Sequence, residues 1–298
     1  MTTAAADFSE QLDKLWNYGK PAESATRFRA ELAKYPETSP EALEIATQIA
    51  RTDSLQRKFA EADKTLDAVL PKLHTAPERV KVRYFLERGR TRNSSGDKPA
   101  AVALFHEALT LSRHDTQPGA DFYRVDALHM LAIAAPANEG LDWNLKGIAA
   151  AEASSEARAR GWLPMLYNNI GWTYFEAKDP KTALGYWQKA LPLREAAGNE
   201  TTIRIARWTI ARGQRAVGNL DEAQAIQLAL VAETEKANEP DGYVYEELAE
   251  IAAARGRSDD ASKWAAKAHA LLKDDGHMKA NEAARLARLA DLAQGKVK

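Results

Sequence analysis

The chain has 298 residues, 41 basic and 42 acidic side chains, a formal net charge of −1 and no cysteine. Balanced charge argues against wholesale nucleic-acid binding, and the lack of cysteine excludes disulfides, cysteine–zinc sites and thiol catalysis. The length allows two compact domains or one repeat array, and a composition 45% hydrophobic but only 8% aromatic, rich in alanine, favours closely packed helices over sheets.

The opening MTTAAADFSEQLDKLW lacks the basic start and apolar run of a signal peptide. No stretch approaches the roughly 18 uninterrupted apolar residues of a membrane helix, so a cytoplasmic protein away from membranes is expected. Asp7-Phe8-Ser9-Glu10 reads as a capping box. It opens a helix carrying Leu12, Leu15 and Trp16 that turns at Gly19-Lys20-Pro21; the next, with Phe28 and Leu32, stops at Pro36. Ser39-Pro40-Glu41 is an N-cap followed by proline at the first helical position. Phe59, Ala62, Leu66 and Val69 form the buried stripe of the helix after it. Thr75-Ala76-Pro77-Glu78 reads as another capping box, and a turn follows at Gly96-Asp97. HDTQPGA, ending at Ala120, is a long loop, and AAPANEG, from Ala134 to Gly140, stands where a clean turn is expected.

From Leu163 to Asn199 the pattern is clearest. Leu166, Ile170, Tyr174 and Ala177 share one helix face, with Gly171 in its middle. Glycine there costs about 1 kcal/mol against alanine, so a partner helix must approach closely. Lys178-Asp179-Pro180 ends that helix and starts the next. Ala183, Trp187, Ala190 and Leu191 share a face of the second helix, with Ala183 expected opposite Gly171, and Gly198-Asn199 supplies a left-handed stop. Later turns fall at Gly218-Asn219 and Gly256-Arg257. After Asp274-Asp275-Gly276 a last amphipathic helix, 277–294, carries Ala283, Leu286, Leu289 and Leu292.

The small-residue pair Gly171/Ala183, twelve apart, recurs as Ala50/Ala62, Gly89/Ala101, Ala211/Ala223 and Ala249/Ala261, with weaker pairs Leu12/Ser24 and Ala132/Asn144. Successive anchors lie 38, 39, 43, 39, 40 and 38 residues apart. The organisation expected is a single domain of seven helical hairpins: 5–38, 39–76, 77–118, 119–159, 160–199, 200–238 and 239–275, then the capping helix.

Tyr167, Ile170, Gly171, Tyr174, Ala183, Trp187 and Ala190 sit at the spacing of the tetratricopeptide (TPR) signature, and the chain resembles that family. Lys178 and Pro180 depart from it, standing where a turn glycine and an aromatic are usual. Repeats near 40 residues resemble those of bacterial sensor and regulator TPR proteins and of motor adaptors. The resemblance implies an all-α solenoid of TPR-like hairpins wound into a right-handed superhelix. The first helix of each hairpin would then line a concave groove, with the residue after each anchor protruding into it. Those positions hold Arg51, Arg90, Ile133, Trp172, Arg212 and Glu250. Asn168, Asn169, Trp208, Arg215, Tyr243 and Glu246 are further inward-facing candidates. Arginine forks and aromatic area suit an acidic protein or peptide. Internal pairing of the arginines with Glu87, Glu246, Glu247 and Glu250 is the alternative, and aromatic and acidic residues near Tyr243 would polarise the groove. The family's carboxylate-clamp set is not reproduced.

No phosphate loop, dinucleotide fingerprint or HExxH motif is present. Of the six histidines only His129, three residues after Asp126, has a neighbour worth weighing, and a surface ion pair explains that spacing better than a metal site. The sequence therefore predicts a non-catalytic protein- or peptide-binding scaffold with no cofactor, no metal and no nucleic-acid partner, and gives no indication of homo-oligomers. A ligand- or peptide-sensing regulatory protein that changes superhelix shape is the alternative.

Overall fold

The computed structural model describes residues 8–115 and 117–296, and among them it is all helix, without strands. Asp7, the cap expected for the first helix, lies outside the described residues, as does Thr116 of the HDTQPGA loop. The chain divides into two compact units, 1–166 and 167–298.

The N-terminal unit holds α1 (Phe8–Asp13), α2 (Pro21–Leu32), α3 (Pro40–Leu55), α4 (Phe59–Val69), α5 (Glu78–Ser95), α6 (Lys98–His114), α7 (Ala120–Ala134), α8 (Ala137–Ala153) and the short α9 (Ala157–Arg160). Helix α10 (Leu163–Glu176) contains the boundary between units. The C-terminal unit continues with α11 (Pro180–Ala197), α12 (Glu200–Ala216), α13 (Leu220–Lys236), α14 (Gly242–Ala254), α15 (Ser258–Leu272), α16 (Gly276–Asn281) and α17 (Ala283–Ala293). In each unit neighbouring helices pack as hairpins, for example α5 on α6, α7 on α8 and α14 on α15.

Local chemistry sets the boundaries. Ser39 Oγ accepts from the Ala42 amide, with Pro40 in the first turn, as the sequence indicated. Asp97, Asp179 and Asn199 cap α6, α11 and α12 in the same way. Gly96, Gly218 and Gly256 adopt positive φ at hairpin turns, and Gly198 does so between two hairpins. Four expectations need correction. Thr75 does not cap α5; it ends a 3-10 turn, Leu70–Thr75, that prolongs α4. Helix α1 stops at Asp13, so Leu15 and Trp16 lie in the turn beyond it. The turn between α7 and α8 is only Ala135-Pro136, and Asn138-Glu139-Gly140 already belong to α8. The terminal helix is two helices, broken at Glu282, which lets Met278 of α16 and Leu289 and Leu292 of α17 all be buried.

The anchors behave as packing pivots: Ala50, Ala62, Ala101, Ala183, Ala211, Ala223 and Ala249 have no exposed surface. The room beside Gly171 is taken by the Trp187 ring and not by Ala183: a methyl on Gly171 would come within 2.5 Å of Trp187 Cδ1. A methyl on Gly89 would likewise come within 2.7 Å of Phe105 Cδ1. Both rings lie sixteen residues after their glycine, where the alanine anchors Ala50, Ala211 and Ala249 have Leu66, Gln227 and Ala265. At both glycine anchors the facing residue is a ring.

The fourth hairpin shifts register. Ala132 is only partly buried, whereas Leu128 is 4% exposed and lies opposite Gly147 of α8, where an added methyl would come within 3.7 Å of Leu128 Cβ. Leu128 is therefore the anchor, with Gly140 twelve residues on. His129, not Ile133, then occupies the position that follows it.

Candidate functional site

In the N-terminal unit the positions after the anchors Leu12, Ala50, Gly89 and Leu128 are Asp13, Arg51, Arg90 and His129, and all four line one recess of about 570 Å³. Its floor also holds Gln48, Glu87 and Asp126, each two residues before an anchor. Leu55, Ser94 and Ile133, one helical turn beyond the protruding set, form the rim. The helical period thus stacks a polar floor under a largely apolar mouth.

Ion pairs organise the floor. Arg90 is 8% exposed; its Nη1 donates to Glu87 at 2.9 Å and its Nη2 to Asp126. Burial opposes its charge, but Asp126 and Glu87 more than offset this and hold its pKa above the ordinary value. Arg83 meets Glu44 at 3.1 Å, and Arg79 Nε donates to the same carboxylate at 3.0 Å. Arg51 differs: burial, and then the neighbouring Arg90, lower its pKa, and its contact with Glu87 is 3.7 Å long. Asp126 and His129 are both buried, so they are not a surface pair; burial pushes the His129 pKa down and favours its neutral form. Helix α1 closes one side of the recess. Tyr123 donates to Ser9 Oγ at 2.8 Å, Ser9 donates to Glu44 at 3.0 Å, and Arg158 donates to Asp13 at 2.6 Å.

The remaining sequence candidates fall in the C-terminal unit. Trp172 packs against Trp187 and Trp208, with centroids at 5.0 and 6.2 Å. Trp208 Nε1 donates to the Tyr243 carbonyl at 3.0 Å. The Arg212 guanidinium lies over the Trp172, Phe175 and Trp208 rings at 5.8, 5.6 and 5.6 Å. Its contact with Glu247 is 3.7 Å, and burial is the main reason its pKa is lowered. Arg215 holds the same Glu247 more tightly through Nε and Nη2. The Asn168 and Asn169 side chains meet each other at 3.5 Å, while the Asn168 carbonyl accepts from Trp187 Nε1 at 3.2 Å. Glu246 is buried and takes both arms of Arg285, and Glu250 takes both arms of Arg288. Helix α17 thus supplies cations to the acidic face of α14, which the sequence-based polarity of that face left out. The missing signal was the spacing of Arg285 and Arg288, three apart, which puts both on one face of α17.

The same geometric unit recurs in both halves. Arg51 faces Glu87 and Arg212 faces Glu247, each arginine one residue after an anchor and each glutamate two residues before the next. Among the described residues no group of three or more histidine or acidic side chains is placed to hold a metal ion, and no helix is long and apolar enough to cross a membrane.

Residues 165–197, the α10–α11 hairpin, match the family model described as tetratricopeptide repeat. No functionally curated protein matches the sequence. Among solved structures, the apo form of RapI is 10% identical with a TM-score of 0.69, over 96% of this chain and 86% of that one. A signal-transduction ATPase with numerous domains (STAND), a Pyrococcus horikoshii protein with a tetratricopeptide repeat sensor, is 13% identical with a TM-score of 0.66, over 94% of this chain and 45% of that one. This chain therefore spans less than half the length of that protein. BtubC from P. vanneervenii is 14% identical with a TM-score of 0.56, over 78% of this chain and 93% of that one. The fold is the helical-hairpin fold of tetratricopeptide-repeat proteins.

Proposed function

We propose that the chain is a cytoplasmic, non-catalytic scaffold that binds a protein or peptide on the faces carrying the protruding residues. The observation that carries this reading is Arg212, a cation half-buried among three aromatic rings and held only loosely by Glu247. A partner carboxylate meeting that guanidinium would gain a charge-assisted bond, and Trp172 and Trp208 offer rigid apolar area beside it. Asn168, Asn169, Arg215, Tyr243 and Glu246 surround or brace this cluster, and Arg51 and Arg90 hold the corresponding places in the N-terminal unit.

The test is binding of an acidic peptide library to wild type, Arg212→Gln and Trp172→Leu. The reading expects retained peptides to lose about tenfold in affinity, on the order of 1.4 kcal/mol, in either variant. Equal retention by all three proteins would remove the assignment. Charge reversal at Arg90 is a poor probe, because it would bury a third carboxylate beside Glu87 and Asp126. A second reading, a ligand-sensing regulatory protein, draws on the likeness to the STAND protein with its tetratricopeptide repeat sensor. It requires the radius of gyration to change when ligand is added, measurable by solution scattering.

A further inference from the structure

We propose that the recess of the N-terminal unit binds a small monocarboxylic acid with an apolar body, the carboxylate on Arg51 and the body against Leu55, Ile133 and Met165. This goes beyond the scaffold reading, which concerns a macromolecular partner.

Charge selects the head group. Around the recess five guanidiniums, of Arg51, Arg79, Arg83, Arg90 and Arg158, face the four carboxylates of Asp13, Glu44, Glu87 and Asp126. Four of the cations have an acid oxygen within hydrogen-bonding distance. Arg51 does not: the Glu87 oxygen it meets lies 3.7 Å away, and that glutamate already accepts from Arg90. One positive charge is left over in a part-buried site, where it is poorly solvated. A monoanion balances it and a dianion would overshoot. Two further groups want a partner. Arg90 Nε and His129 Nδ1, on side chains more than nine-tenths buried, have no hydrogen-bond partner among the described residues.

Shape selects the body. Ser9–Tyr123 and Asp13–Arg158 tie α1 across to α7 and α9 and bound the space on that side. A volume of about 570 Å³ falls within the few hundred to thousand Å³ typical of small-molecule sites. Leu55, Ile133 and Met165 are 40%, 48% and 38% exposed at the mouth, an apolar collar with no cover. Leu55 and Ile133 stand one helical turn, roughly 5 Å, from the Arg51 layer. A body of a few carbons spans that distance.

Isothermal titration of the full chain with hexanoate and 4-phenylbutanoate, beside hexanol and hexylammonium, tests the assignment. Both acids should bind saturably, at least tenfold tighter than the alcohol, with the ammonium ion excluded. Arg51→Gln should weaken acid binding about tenfold and leave the alcohol unchanged, while Arg51→Lys retains part of the preference. Ile133→Ser should remove the gain from a longer body without removing the charge preference, which keeps the test open if Arg51 variants fold poorly. Absence of saturable acid binding, equal binding of acid and alcohol, or acid binding indifferent to Arg51→Gln would each overturn the proposal. So would tighter binding by a pentapeptide ending in leucine, which carries the same carboxylate on a body too large to enclose. Peptide capture is read on Trp172 and Arg212 in the other unit, so either proposal can fail alone.

Discussion

Gly171 and Gly185 make a matched pair of helical glycines with opposite expectations. The first faces the Trp187 ring, while a methyl on Gly185 meets nothing within 4 Å. Gly185→Ala should therefore gain about 1 kcal/mol from helix propensity alone. Gly171→Ala earns the same local gain but collides with the indole, and overpacking of about 1–3 kcal/mol outweighs it. Urea unfolding of the two variants should move in opposite directions. His129 provides a second residue-level test. Burial lowers its pKa, so the folded protein keeps a neutral ring while the unfolded chain takes up a proton below about pH 6.5. The unfolded state then binds more protons, and stability falls as the pH drops through that value. His129→Gln, which cannot titrate, should lose less stability between pH 7.5 and 5.5 than wild type, as followed by thermal melts.

At the level of elements, five of the hairpins turn through a left-handed residue. Arg57 and Lys178 adopt φ of 60° and 65° where Gly96, Gly218 and Gly256 do the same work elsewhere. A side chain in that region costs about 1 kcal/mol relative to glycine. Lys178→Gly should raise the unfolding midpoint accordingly, with the Asp179 cap on Thr182 retained. The element boundaries show which local signals can be trusted. The cap at Ser39 was legible because a side-chain acceptor three residues before an orphan amide acts over a single turn, whereas Asp97, Asp179 and Asn199, read only as turn or stop residues, cap in the same way. Thr75 has the same spacing and does not cap, because the 3-10 turn that prolongs α4 runs through it.

For the molecule as a whole, α17 does more than cover an apolar end. Leu289 and Leu292 join the core of the last hairpin, and Arg285 and Arg288 neutralise Glu246 and Glu250 on α14. Deleting residues 276–298 should expose the Leu272 core and leave the buried Glu246 without its cation. The C-terminal unit would lose several kcal/mol, visible as a lowered melting temperature and binding of a hydrophobic dye. The sequence by itself determined the helical class, the near-forty-residue period, most turns and most anchors, because each depends on spacing along one helix or across one tight connection. Only the tertiary structure decided that Leu128 anchors the fourth hairpin, that His129 joins Arg51 and Arg90 on one floor, and that α1 closes one side of the recess. Those facts depend on contacts such as Ser9 with Tyr123, 114 residues apart, which no local periodicity encodes because they are set by how successive hairpins turn against one another.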